Sequence, residues 1–166
     1  MSVRTTPPFR ADHVGSLLRP PILLRAREDA ARGAISPDDL RAAEDDAIRD
    51  AVRMQDDIGL RSVTDGEFRR ASWHMDFIYE IAGVQKAEQN LRSVFHNEDG
   101  DIEFTPSAIK VTGKLGMDHT IFGSAFEFLR DTAAAVSVKA TPKLTIPAPS
   151  LVHYRGGPAA IDQAVY

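Results

Sequence analysis

Apolar and polar positions alternate along this chain in two distinct rhythms. The clearest is helical. From Ser36 onward, Leu40, Ala43, Ala47, Ile48, Ala51, Val52 and Ile58 recur at three- and four-residue spacing. Glu44, Asp45, Asp46, Arg49, Asp50 and Arg53 fill most of the intervening positions. Ser36 has the side chain of an N-cap, Pro37 suits a first helical position, and Asp38 and Asp39 suit the positive end of a helix dipole. Gly59 supplies the stop. The pattern predicts a long helix with one buried face. A shorter helix is expected over 22–32, opened by Pro20-Pro21 and closed by Gly33, and another over 124–135 through Phe126, Leu129 and Ala133. Short apolar runs bounded by turn residues predict strands at 9–14, 60–64, 108–112 and 143–146. A short helical piece is expected over 77–82, and a further helix from Ala159.

Between these lies an irregular polar stretch. Asn97-Glu98-Asp99-Gly100-Asp101 has the composition of a tight turn, so a hairpin-like excursion is expected around 85–110. The remaining rhythm is strand, helix, strand, excursion, strand, helix, strand. That order predicts an α/β fold with about four parallel strands and helices outside. A closed (β/α)8 barrel takes about 250 residues, so 166 residues correspond to the first half of such a barrel, with a small open sheet as the other solution. The whole chain is read as one partial-barrel domain, 1–166, with 1–8 a flexible lead-in.

Composition narrows the functional classes. The chain is 43% apolar and 27% charged, ordinary for a globular protein, and its net charge of −4 leaves no basic footprint for nucleic acid. It has no cysteine, which removes disulfides, thiolate metal sites and a cysteine nucleophile from this chain. No run of about 18 apolar residues exists to span a membrane. Met1 to Arg10 lacks the apolar core of a signal peptide, so a cytoplasmic location is expected.

Candidate chemistry gathers at two strand ends: His13-Val14-Gly15-Ser16-Leu17-Leu18-Arg19-Pro20 and Thr64-Asp65-Gly66-Glu67-Phe68-Arg69-Arg70. Polar groups at the C-terminal rim of strands are how an α/β barrel builds a site. Gly15 permits close backbone approach and Ser16 offers a donor and an acceptor. Glu67 is suited to pairing with an ammonium. Each residue also has a purely architectural reading. Gly15 and Ser16 would simply end a strand, Asp65 would bond nearby backbone amides in a turn, and His13 would be a part-buried histidine bonded to backbone. Arg69 and Arg70 would hold Glu67, a substrate carboxylate, or ion pairs within the loop. Trp73 reads first as packing, and Glu44-Asp45-Asp46 and Asp56-Asp57 as a solvated helix face.

Taken in order, these segments resemble the cobalamin-independent methionine synthase family, in particular its short single-barrel members. The resemblance runs through the two segments above, Trp73, Asp76-Phe77, and Thr145-Ile146-Pro147-Ala148-Pro149-Ser150 with His153-Tyr154-Arg155-Gly156-Gly157. It implies a (β/α)8 barrel that moves a methyl group from a methylated folate-like donor to a zinc-activated thiol such as homocysteine. Carried over by motif, Val14, Gly15 and Ser16 correspond to the segment holding the amino-acid end of the thiol, and Glu67 to the acid that accepts its amino group. His13, Asp65 and His153 join them as candidate substrate-binding residues. The family's zinc ligands include cysteines in the second half of the barrel, so zinc is implied while its ligands are not in this chain.

A half-barrel exposes sheet edges and an apolar inner face, so the expected partners are a complementary half-barrel or a second copy, besides the small-molecule substrates. Two other readings stand beside the methyltransferase. One is a noncatalytic half-barrel that binds a ligand or subunit. The other is a metal-free decarboxylase of the related porphyrin-processing barrel family, for which Arg19, Arg69 and Arg155 would face a central pocket.

Overall fold

A computed structural model describes residues 7, 12–87, 93–98, 100–104, 108–136, 139–154 and 160–165. In chain order the elements are α1 (Pro21–Ala31), α2 (Pro37–Asp57), β1 (Ser62–Val63), α3 (Met75–Ile78), β2 (Ala82–Ala87), β3 (Ser93–Asn97), β4 (Gly100–Phe104), β5 (Ala108–Gly116), α4 (Gly123–Val136), β6 (Thr141–Pro142) and α5 (Ser150–Tyr154). They fall into two compact units, 1–71 with 122–145 and 72–121 with 146–166. The lead-in expected over 1–8 lies, but for Pro7, outside the described residues.

The first unit is the α/β one. Its organising element is α2, whose start is a complete capping box: the Ser36 hydroxyl accepts from the Asp39 amide while the Asp39 carboxylate accepts from the Ser36 amide. The buried residues of α2 are Glu44, Ala47, Ile48, Ala51, Val52 and Gln55, a single stripe at helical spacing. That stripe packs with Leu23 of α1, Val63 of β1, Phe68, and Leu129 and Ala133 of α4 into one core. At about 1.5–3 kcal/mol for each large apolar side chain fully buried, this cluster is what holds the three helices to β1 and the loop after it.

β1 and β6 pair in parallel, Ser62 with Thr141 and Val63 with Pro142. The ladder is bracketed by Thr141 N–H to Arg61 O and Lys143 N–H to Val63 O, both 2.8 Å. The strand expected over 143–146 is thus met two residues earlier, at 141–142. Pro142 has no N–H to donate, and the ladder needs none there, because the amides on either side of it, Thr141 and Lys143, are the ones that face β1. The strand expected over 9–14 is not formed at residues 12–14. There the side chains of Lys143 and Gln55, not a neighbouring strand, take up the polar groups of Asp12 and His13.

In the second unit the excursion is longer than its sequence suggests. β3 and β4 form the expected hairpin, with Asn97 opposite Gly100. β2 and β5, which flank it in the chain, pair antiparallel in a sheet of their own, with a register shift between Ala82 and Val84. The strand expected at 108–112 therefore exists, within β5, but pairs antiparallel rather than in a parallel sheet. Its parallel contact is an isolated bridge from Val111 to Ile161. Met75, Ile78 and Ile109 form this unit's core, with Tyr79, Val84, Leu151 and Val152 against it. The helix expected from Ala159 is not formed among the described residues 160–165, which hold turns and that bridge. Among the described residues no helix is long and apolar enough to cross a membrane.

Candidate functional site

The site forms where β1 stops, within the first unit. Asp65 Oδ1 accepts from the Glu67 amide at 2.9 Å and closes the turn, the architectural role open to it from the sequence. Gly66 and Glu67 then take left-handed backbone conformations, φ 66° and 58°. Glycine does so freely; for Glu67 the conformation costs about 1–2 kcal/mol, so contacts made by its side chain and loop must hold it there.

Arginines fasten the loop from outside. Arg19 donates to the carbonyls of Glu67 at 2.9 Å and Arg70 at 2.5 Å. Arg27 donates to the Phe68 carbonyl at 3.0 Å and to Glu44 at 3.3 Å. Arg69 pairs with Glu44 and Asp45 of α2. Glu44 is therefore a buried partner of two arginines, not part of a solvated face; it sits at one end of the buried stripe of α2 and Gln55 at the other. Arg19 and Arg69, which the decarboxylase reading would turn toward a pocket, are engaged in holding this loop. Arg155 lies outside the described residues.

The His13–Leu17 segment runs alongside. The Thr64 hydroxyl donates to Gly15 O at 2.7 Å and accepts from the Gly66 amide at 3.2 Å, and Leu17 N–H donates to Gly66 O at 3.1 Å. Gly15 is pressed against the site. A Cβ there would stand 2.5 Å from Thr145 Cγ2 and 3.4 Å from Glu67 Oε1.

The centre is the Glu67 carboxylate, whose residue is 5% exposed. Thr145 Oγ1 donates to Glu67 Oε1 at 2.6 Å. Arg70 stands 3.6 Å from the same oxygen and donates to Thr145 Oγ1 at 3.3 Å and Thr145 O at 2.7 Å. The guanidinium lies over the Phe122 ring, 4.5 Å from its centroid. Phe122, like Glu67, has a left-handed backbone, φ 60°. The two non-glycine residues with positive φ among the described residues thus both touch Arg70, a clustering of strain of the kind found at functional sites. A buried carboxylate fixed through one oxygen is suited to binding a cation presented to the other.

Of the other candidates, His13 Nε2 lies 2.8 Å from Gln55 Oε1. Gln55 Nε2 already donates to Ala51 O and Thr64 O, so its oxygen faces the imidazole and His13 Nε2 carries the proton. The histidine bonds a side chain, not backbone as the architectural reading had it. Lys143 donates to Asp12 Oδ1 and His13 O, and its hydrogen bond holds the Asp12 carboxyl below the ordinary value of 3.8. Val14, 85% exposed, and Ser16 are open to solvent. His153 lies in α5, its side chain outside the described residues. Trp73, in the second unit, is half exposed with its ring beside His74.

Sequence reasoning assigned no site role to Thr145 or Gln55. Gln55 had a signal, a polar residue on the apolar stripe of α2. Thr145 opens one of the segments that carry the resemblance, but nothing local tells which face of an extended segment meets Glu67.

The residues described do not fit zinc. The chain has no cysteine, and among the described residues no group of three or more His, Asp or Glu is placed to hold a metal ion.

No family model matches the chain. Two uncharacterised Bacillus subtilis proteins are similar to it: YxjG, 40% identical over 92% of this chain, and YxjH, 43% identical over 89%. Among solved structures, a Listeria monocytogenes protein provisionally named a vitamin-B12-independent methionine synthase superposes with a TM-score of 0.69, at 35% identity over 93% of this chain. A B12-independent methionine synthase from Shewanella sp. W3-18-1, solved in complex with selenomethionine, shares the fold at a TM-score of 0.52, with 22% identity over 78% of this chain. The chain spans 38% and 37% of the two Bacillus proteins and 40% and 34% of the two solved chains. Its structural neighbours are cobalamin-independent methionine synthase-like proteins, as the sequence motifs indicate.

Proposed function

We propose, from the chain's kinship with cobalamin-independent methionine synthase-like proteins, that it builds the amino-acid-holding part of a site for methyl transfer to a thiol. Homocysteine is the acceptor and a methylated folate-like compound the donor that the resemblance implies. The observation that carries this reading is the buried Glu67 carboxylate, fixed by Thr145 and Arg70 beside Gly15, just beyond the ends of the paired strands β1 and β6. A carboxylate so placed pairs with the ammonium of an amino acid, while Ser16, which is exposed, offers its amide and hydroxyl for hydrogen bonds to the amino acid's carboxylate. The chain's own residues would thereby bind and orient the acceptor; positioning of this kind supplies a large part of catalytic rate. No step is assigned to zinc, which these residues do not hold.

The same reading makes this chain half of a (β/α)8 barrel completed by further polypeptide, from a complementary half or a second copy. The parallel β1–β6 pair with α2 and α4 packed on one core is the motif such a barrel repeats. Leu18, Ile22 and Met54 are exposed around an apolar groove of about 590 Å³ in the first unit, a surface of the sort that marks a contact site.

The test is amide chemical-shift mapping with L-homocysteine. Shifts concentrated at Gly15, Ser16 and Glu67 are expected. Saturating ligand that leaves those three amides unmoved would sink the reading and favour a noncatalytic module.

A further inference from the structure

We propose that Thr145 is a positioning residue that makes the site selective for ligands carrying a primary ammonium, by aiming the free oxygen of Glu67. The inference rests on the reading of Glu67 as the amine acceptor and goes beyond it, since it assigns to a residue of a different chain segment the control of that acceptor.

The hydrogen-bond bookkeeping fixes the direction of the Thr145 proton. An arginine nitrogen has no lone pair to offer, so where Arg70 Nη1 meets Thr145 Oγ1, at 3.3 Å, the hydroxyl must accept. Its single proton then goes to Glu67 Oε1, at 2.6 Å, a length typical of an O–H donor to a carboxylate. Arg70 also faces Oε1, at 3.6 Å. Both donors therefore meet the same carboxylate oxygen. Oε2 has no partner among the described residues, and its lone pairs are what a ligand finds.

The fixity of Thr145 has its own causes. Arg70 Nη2 donates to its carbonyl at 2.7 Å, the guanidinium is seated on Phe122, and β6 holds the chain at Thr141 and Pro142 just before it. Gly15 leaves the space that the Thr145 methyl occupies. Arg70, spent on Thr145 and Glu67, is thereby assigned to the carboxylate inside the protein and not to the carboxylate of a substrate.

The experiment compares the affinity of this chain for L-methionine and for des-amino methionine by calorimetry. The readout is the ratio of the two affinities. A variant that is merely less folded weakens both alike and leaves the ratio unchanged, so the ratio reports on aim and not on stability. The wild type is expected to prefer L-methionine by about tenfold or more, the worth of a hydrogen bond to a charged group. Glu67→Gln should erase the preference, Thr145→Val should bring it close to that of Glu67→Gln, and Thr145→Ser should restore most of it. Should Thr145→Val not fold, Thr145→Ala takes its place. A Thr145→Val or Thr145→Ala variant that keeps the wild-type ratio while Glu67→Gln loses it overturns the positioning role and leaves the amine reading standing. A wild type with no preference overturns both.

Discussion

The hydroxyl of Thr145 and the carboxylate of Glu67 meet at 2.6 Å although 78 positions separate them in the chain. What brings them together is the parallel pairing of β1 and β6. Two parallel neighbours end on the same rim, so the residues just beyond Val63 and just beyond Pro142 emerge side by side. The His13–Leu17 segment joins them through the Thr64 hydroxyl and the Gly66 carbonyl. Three stretches remote in sequence thus supply one acid, one hydroxyl and one gap without a side chain.

That gap is testable. Gly15→Ala places a Cβ 2.5 Å from Thr145 Cγ2, closer than packed carbons approach, so Thr145 or the 13–17 segment must move. Overpacking of this degree is expected to cost about 2 kcal/mol, seen as a lower midpoint in urea unfolding. It should also weaken L-homocysteine binding. An unchanged midpoint would show that the site is looser than its geometry.

Gln55 is fully buried and bonds Ala51 O, both the amide and the carbonyl of Thr64, and His13. Gln55→Leu keeps the volume and leaves the main-chain groups of Thr64 without partners. The expected loss is about 2–4 kcal/mol, measurable by urea unfolding. Amide exchange at Thr64 should quicken as well. Protection at Thr64 equal to the wild type would mean that another donor replaces the glutamine.

The capping box gives a pH signature. Hydrogen bonds from the side chain and then the backbone of Ser36 hold the Asp39 carboxyl below its ordinary value of 3.8. A depressed carboxyl contributes stability that is present above the unfolded value and lost as pH falls through the folded one. The stability gap between the wild type and Asp39→Asn should therefore be fullest at neutral pH and close as the solution is acidified below about pH 4. Ser36→Ala should cost about 1 kcal/mol at neutral pH. A gap that stays constant down to strong acid would deny the hydrogen bonds their role.

Helices α1, α2 and α4 were legible because their causes are local: Ser36 and Pro37 at one start, Pro20-Pro21 at another, and apolar residues at a repeat that one face of a helix satisfies. The hairpin at Asn97 and Gly100 was legible for the same reason. The strands were less so. An extended run at 108–112 reads alike whether its neighbour is parallel or antiparallel, and β2 claimed it from the other side of the hairpin. Glu44 shows the converse error. Its neighbours Asp45 and Asp46 suggested a solvated face, but its position on the buried stripe made it the partner of Arg27 and Arg69.

By itself the sequence determined the capped helix at Ser36, the polar turn at Asp65 and Gly66, the absence of any thiolate, and the ordered motifs that relate the chain to its methionine synthase-like neighbours. These depend on residues a few positions apart, where backbone geometry leaves little choice. Only the tertiary structure decided that Thr145 and Arg70 share the Glu67 carboxylate, that Gln55 ties His13 to the end of β1, and that Gly15 is small because Thr145 stands against it. Such contacts are set by strand pairing and helix packing across the whole chain, and the energy of a hydrogen bond between distant residues leaves no periodic trace in either segment.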